Sequence, residues 1–182
     1  MRIATALLCL SCSAATASAA QEKKQSAEIG TSLGVTVLSQ SGETFTTVGA
    51  PVAQGPVPLF GQATLYATIF ATPSVMIEPQ LSFSHLSGGG SSLTLIGGAA
   101  NIGYLFKATE RASPYVAASL GVESLSGDLG SASGVGLGGS VGYRLRAGAG
   151  FAVRFEGRYR HWLGDFDGLN EFGFVIGLGG II

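Results

Sequence analysis

The sequence predicts an all-β fold, an eight-stranded antiparallel up-and-down barrel, and three observations lead there. The first is residues 151–162, FAVRFEGRYRHW. Read alternately, Phe151, Val153, Phe155, Gly157, Tyr159 and His161 form one set, and Ala152, Arg154, Glu156, Arg158, Arg160 and Trp162 the other. A period of two belongs to a β-strand, whose successive side chains point to opposite faces. One face is apolar and aromatic; the other carries four charges. The second observation is composition. Charged residues make up 12% of the chain and hydrophobic ones 46%, against a usual charged share of about 25%. The third is that the alternation recurs about eight times, while 29 glycines argue against helix. After the N-terminus no apolar run approaches the ~18 residues of a membrane helix. Charges gathered on one face of so charge-poor a chain are explained by an inverted molecule, apolar toward lipid and polar inside a closed transmembrane barrel.

Residues 1–19 read as a secretory signal peptide: Arg2 is the charged start, residues 3–10 the apolar stretch, and Ala17-Ser18-Ala19 the cleavage signal, with a cut after Ala20 as the alternative. An acylated Cys12 is a second alternative, although Cys9 stands where such signals carry leucine. Both cysteines lie in this segment, so the mature chain, residues 20–182, is expected to be one domain without disulfide or thiolate metal site. The net charge of −1 offers nothing to a nucleic acid.

The strands follow in order. Residues 27–38 alternate Ile29, Thr31, Leu33, Val35 and Val37 with Glu28, Gly30, Ser32, Gly34 and Thr36. Residues 39–58, with Pro51, Pro56 and Pro58, read as a long surface loop that extends the wall near 44–48. A second strand is expected over 59–70, with Leu65, Ala67 and Ile69 opposite Gln62, Thr64 and Thr68, and a tight turn over 71–74. In the third, 75–86, Val75, Ile77, Pro79, Leu81 and Phe83 look outward, Met76, Glu78, Gln80, Ser82 and Ser84 inward, and Pro79 predicts a bulge. A glycine loop, 87–92, leads to 93–106, whose faces the pattern does not assign. After a charged turn at 107–113, strand 114–126 sets Val116, Ala118, Leu120 and Val122 against Ala117, Ser119, Gly121 and Glu123. A loop at 127–133 precedes 134–146, where Val135, Leu137, Val141, Tyr143 and Leu145 oppose Gly136, Gly138, Ser140, Gly142 and Arg144. A turn at 146–149, the strand already described and an acidic loop at 163–169 lead to 170–182, with Phe172, Phe174, Ile176, Leu178 and Ile182 against Glu171, Gly173, Val175, Gly177 and Gly179. Short turns at one end and longer loops at the other are expected. Aromatic belts follow, with Phe70, Tyr104, Phe106, Tyr115, Tyr143 and Phe151 beside the short turns, and Phe60, Phe83, Tyr159, Trp162, Phe166 and Phe172 at the other end.

Residues 153–160, VRFEGRYR, the strand ends Gly103-Tyr104 and Gly142-Tyr143, and the alternating C-terminal strand resemble the eight-stranded outer-membrane β-barrel domain family, the OmpA- and OmpX-like porin-type group of Gram-negative bacteria. The resemblance spans the mature chain and implies a place in the bacterial outer membrane, contact with its lipid and lipopolysaccharide, and a structural or surface-contact role. It also implies recognition of the C-terminal strand by the assembly machinery. Such barrels usually end on an aromatic residue, whereas this one ends on Ile182, leaving Phe172, Phe174, Ile176 and Leu178 to serve. The partner of the outer loops is not named by the sequence; by size, 39–58 is the candidate.

Glu78, Glu123, Arg154, Glu156, Arg158 and Arg160 fall on inward faces and are expected to form a structural ion-pair network, because unpaired charge in so narrow a lumen is costly. Glu78 is expected to meet Arg154, and Glu123 to lie level with Arg158 or Arg160. A gated ion path and a lipid A-modifying enzyme are rival readings. Eight strands leave room for little but side chains. The deacylase pattern places a serine two residues after its histidine, where His161 is followed by Leu163, and His85-Leu86-Ser87 lies on the wrong strand. No catalytic residue, metal or cofactor is expected. The Gly88–Gly90 and Gly136–Gly139 runs lack the following helix of a nucleotide loop, and Asp165 and Asp167 fall short of a calcium cage. A soluble secreted β-barrel binding protein, its apolar face inside, is the remaining alternative.

Overall fold

The computed structural model describes residues 27–49, 65–88, 90–107, 111–128, 130–148 and 150–182; the signal segment and the proposed cleavage site lie outside them. The described chain forms β1 (Ala27–Gln40), β2 (Glu43–Gly49), β3 (Leu65–Phe70), β4 (Val75–Gly88), β5 (Ser91–Leu105), β6 (Ala112–Gly127), β7 (Gly130–Ala147), β8 (Phe151–Gly164) and β9 (Asn170–Ile181). Each strand pairs antiparallel with its neighbour, and β9 returns to β1 over residues 170–181 against 39–28, closing the wall. The nine segments make eight staves, because β2 and β3 flank the same side of β1. Gly49 lies opposite Gly34 and Leu65 opposite Thr31. The result is a closed eight-stranded antiparallel barrel.

Alternation becomes the two surfaces of this wall. Leu81, Ile102 and Val141 are each more than three-fifths exposed, an arrangement that forgoes about 1.5–3 kcal/mol per large apolar side chain if the solvent is water. Glu28, Thr36 and Glu171 are fully buried inside. On β5, where the pattern assigned no face, Leu95, Asn101 and Leu105 point inward and Ile96, Ile102 and Tyr104 outward.

Several expectations need correction. The loop expected at 39–58 begins instead with a two-residue turn, Ser41-Gly42, both at positive φ (50° and 89°). That is the twist a tight hairpin prefers, and the strand after it pairs with the upper half of β1, at the position expected to extend the wall. Residues 59–64, expected as strand, and Phe60 lie outside the described residues. The loops expected at 87–92 and 127–133 shrink to residues 89–90 and 128–129, since Gly88 already faces Ser91 and Gly127 faces Gly130. Serine and glycine read as loop by propensity, but a cross-strand partner holds them in the ladder. Consequently the outer connections at 41–42, 89–90 and 128–129 are short, whereas 165–169, between β8 and β9, is longer than the inner connections 71–74 and 148–150 though not than 106–111; residues 50–64, between β2 and β3, lie outside the described residues. Pro79 makes no bulge. The β4–β5 register runs unbroken through its pairing with Ala100, and only the β3 rungs opposite it, at Ala67 and Thr68, are missing, as a residue without an N–H requires.

The interior is stratified. At the inner end, where the chain enters at Ala27 and leaves at Ile182, Met76, Leu105 and Tyr115 pack with Phe70. At the outer end Leu38, Leu95, Trp162, Phe166 and Leu169 close the mouth, with Leu125 and Ala132 against them. Phe70, Tyr115, Trp162 and Phe166 therefore leave the belts expected of them; the first three fall on inward strand positions, and Phe166 folds in from the turn after β8. The belt residues that do face outward are Tyr104, Phe106, Tyr143 and Phe151 at the inner end and Phe83, Tyr159 and Phe172 at the outer.

Candidate functional site: a charged layer between two apolar plugs

Between the plugs the lumen is filled by charge. In the middle, Arg154 from β8 grips Glu78 from β4 with both guanidinium nitrogens, Nη1 to Oε2 and Nη2 to Oε1 at 3.1 Å. The Thr68 hydroxyl donates to Oε2 and Gln80 Nε2 donates to Oε1 at 2.8 Å. The guanidinium also lies 4.2 Å from the centre of the Tyr66 ring, and the Tyr115 hydroxyl donates to Glu156 Oε2 at 2.6 Å. A bidentate arginine–carboxylate pair with its remaining lone pairs satisfied is the form in which buried charge is tolerated.

Below it, Arg144 donates from Nε to Glu28 Oε2 at 2.9 Å, with Nη2 at 2.8 Å, and the Tyr66 hydroxyl donates to Oε1 at 2.9 Å. Above it, Glu171 is shared. Arg158 Nε and Arg160 Nη1 each stand 3.5 Å from its oxygens, and Trp162 Nε1 donates at 3.1 Å. Arg160 Nη2 reaches the Ser119 hydroxyl at 3.2 Å. Glu123 is buried and packs against Gly97, where a Cβ would stand 2.9 Å from its Cγ. Glycine makes room for these large groups. A Cβ on Gly30 or Gly179 would come within 2.5 and 2.6 Å of the Tyr66 hydroxyl, so the seam between β1 and β9 is lined by glycine and roofed by Tyr66 from β3.

Of the six charges singled out in the sequence, all are buried in the lumen. Arg154 meets Glu78; Arg158 and Arg160 meet Glu171; Glu156 meets a tyrosine. Glu28, Arg144, Glu171, Tyr66, Thr68, Gln80 and Tyr115 complete these clusters and were not foreseen in them. Their signal was available, since Glu28, Arg144 and Glu171 occupy inward positions by the same alternation.

Each histidine on the lipid-facing side is held by a polar neighbour. The His161 Nδ1 lies 3.0 Å from Asn170 Oδ1, which also accepts from the Tyr159 hydroxyl at 2.7 Å. Glu171, the carboxylate a deacylase pattern would have assigned to His161, points to the opposite face and is occupied in the lumen. The His85 Nδ1 lies 2.9 Å from the Thr94 hydroxyl oxygen.

At the outer rim each turn is fastened to a neighbour. The Ser92 N–H donates to the Asp128 carboxylate at 2.6 Å, and the Asp128 N–H returns to the Ser92 carbonyl at 3.1 Å. Ser133 and Asp165 repeat this reciprocal pair at 2.8 and 2.9 Å. The Ser92 backbone N–H, and after it the Ser92 hydroxyl, holds the Asp128 carboxyl below the usual carboxylate range. Gln40 Nε2 donates to the Asp167 carbonyl at 2.8 Å.

Residues 5–180 match the family profile of the outer membrane protein beta-barrel domain. No curated protein sequence matches the chain. Among solved structures it is similar to Neisserial surface protein A, NspA, with a TM-score of 0.61 and 13% identity over 86% of this chain and 97% of that one. It is also similar to Ail, the attachment invasion locus protein of Yersinia pestis, with a TM-score of 0.54 and 12% identity over 87% and 99% of the two chains. Ail has a further structure in complex with the heparin analogue sucrose octasulfate, to which the TM-score is 0.53 at 14% identity, over 87% and 97%.

Proposed function

The chain belongs to the outer membrane protein beta-barrel domain family, which places it in the bacterial outer membrane, and from that premise we propose a non-catalytic barrel, closed to ions, that serves the envelope structurally and through surface contact. The observation that carries this reading is the layering of the lumen. The charges of a polar channel are present, but they are spent on one another, and an apolar plug stands above and below them. The charged layer is then a structural filling, with Glu78, Glu123, Arg154, Glu156, Arg158 and Arg160 as its members together with Glu28, Arg144 and Glu171. Catalysis is left without a nucleophile–base pair on the described lipid face.

Surface contact at the outer rim would favour a neutral or basic partner. Glu43, Asp128, Asp165 and Asp167 are exposed there, and no exposed lysine or arginine stands at that end among the described residues. A polyanion such as the sulfated sugar held by Ail would be repelled. Export is attributed to residues 1–19 and recognition by the assembly machinery to β9, which presents Phe172, Phe174, Ile176 and Leu178 outward.

The test is gel mobility of detergent-extracted outer membrane, unheated against boiled, joined to planar-bilayer recording of the purified protein. A heat-dependent shift is expected because a closed barrel has no edge to fray, with no steady conductance. A protein released into the soluble fraction without a shift, or one that conducts ions steadily, would overturn the reading.

A further inference from the structure

The chain holds two histidines, and the barrel places them at one height. On β4 the outward positions run Val75, Ile77, Pro79, Leu81, Phe83 and then His85; on β8 they run Phe151, Val153, Phe155, Gly157, Tyr159 and then His161. Each histidine stands ten residues above the first residue of its strand. At roughly 3.3 Å per residue and a tilt of about 40°, ten residues climb about 25 Å, the height of the apolar band of such a barrel. Both rings therefore leave the hydrocarbon at the outer headgroup level. They do so on opposite sides, since β5, β6 and β7 lie between them one way and β9, β1 and the β2/β3 stave the other.

Both rings are also oriented alike. Each uses Nδ1 toward a partner on the next strand, Thr94 for His85 and Asn170 for His161. Nε2 is the nitrogen left to face the headgroups. With no exposed lysine or arginine at the outer end among the described residues, these two imidazoles are the cation-forming N–H donors of that interface.

We propose that His85 and His161 are two headgroup sites of the outer leaflet, each taking a phosphomonoester of an anionic lipid, in preference to the choline-masked phosphodiester of phosphatidylcholine, through Nε2. This rests on the reading of the chain as an outer-membrane barrel. The two sites differ in chemistry. The Thr94 hydroxyl can donate to His85 Nδ1, so the neutral ring carries its proton on Nε2 and donates it to a phosphate oxygen. The Asn170 Oδ1 can only accept, so His161 keeps a proton on Nδ1 and donates from Nε2 as the imidazolium, a charge-assisted contact to the anion. Tyr159, whose hydroxyl shares Asn170 Oδ1 and whose ring packs 4.9 Å from Phe172, braces His161 from the hydrocarbon side.

The experiment uses the folded chain in phosphatidylcholine nanodiscs containing a minor fraction of either diphosphoryl lipid A or the same lipid dephosphorylated. The imidazole nitrogen resonances are followed, and lipid retained per barrel is counted by native mass spectrometry. The expected result is a shift of both Nε2 signals with the phosphorylated lipid alone. His85→Leu and His161→Leu should each abolish one shift and weaken retention, by about tenfold for the pair together. Equal shifts with both lipids, undiminished retention by folded variants, or the same shift produced by inorganic phosphate in plain phosphatidylcholine discs would each overturn the proposal. Should a variant fail to fold, the two lipids compared on the unaltered chain decide it. Failure of the underlying reading shows itself separately, as a native chain without the heat-dependent gel shift.

Discussion

The middle and the outer layers of the lumen solve one problem in two ways. Around Arg154 a single guanidinium and the Glu78 carboxylate face each other through two contacts, and threonine and glutamine take up the other lone pairs. Around Glu171 one carboxylate is divided between Arg158 and Arg160, each at 3.5 Å, with a tryptophan N–H as the closest donor. The first is a pair whose carboxylate is saturated. The second is a looser bracket whose members also lean on Ser119 and on the Trp162 ring, 5.3 Å from Arg160. A buried pair contributes little net stability over an apolar filling of the same shape, but half of one is expensive. The middle layer is thus where a single substitution does most harm.

The largest effect is expected there. Arg154→Leu should lower stability by about 3–5 kcal/mol, the cost of a stranded buried carboxylate, read as the urea midpoint of the heat-resistant band. Arg154→Met with Glu78→Leu should recover most of that loss; if the double variant is no better than the single, the two residues are not a closed pair. Next comes Gly30→Val, which forces a branched side chain into the Tyr66 hydroxyl and should cost about 1–3 kcal/mol by overpacking. Tyr66→Phe, which keeps the ring, should not relieve it, whereas Tyr66→Ala should relieve it in part, since a Cβ at Gly30 also presses on the Leu178 carbonyl oxygen. Glu171→Gln is expected at the same level, about 1–3 kcal/mol, because the amide oxygen still accepts from Trp162. A loss equal to that of Arg154→Leu would show that the bracket is as tight as the pair.

The smallest effect concerns the rim. The Asp128 carboxyl is held low by its bonds from Ser92, so the tie it supplies is complete above the ordinary carboxylate value. It is lost as pH falls through the lower value of the folded protein. The Ser92 amide resonance should report that loss in an acid titration. Asp128→Asn should leave the resonance insensitive to acid, and a titrating Ser92 amide in that variant would assign the effect elsewhere.

Much of this architecture was legible in the alternation. Residues 151–162 and 134–146 state both surfaces of the wall outright, and Arg154, Arg158 and Arg160 could be placed inward from parity alone. The same parity held Glu28, Arg144 and Glu171, yet Glu28 and Glu171 sit singly among small residues and Arg144 has only Arg146 beside it on its face, so little local density of charge pointed to them. Their partners come from 116 residues away in the case of Arg144 and Glu28, a distance that periodicity does not span. The turns were misread for a different reason. Ser41-Gly42 and the serine-rich strand tips look like loop when judged by propensity, and only a partner strand across the ladder makes them wall. Trp162 and Phe166 look like belt residues by height; what puts them inside is parity for the one and the inward fold of its turn for the other.

The reciprocal serine–aspartate ties at the rim bear on engineering. Because the turn at Asp128 holds the top of the β4–β5 hairpin, and Asp165 the top of the β6–β7 hairpin, the rim carries an arc of links in which these two hairpins are each secured by the next. A foreign epitope spliced in at 128–129 would release a second hairpin it never touches.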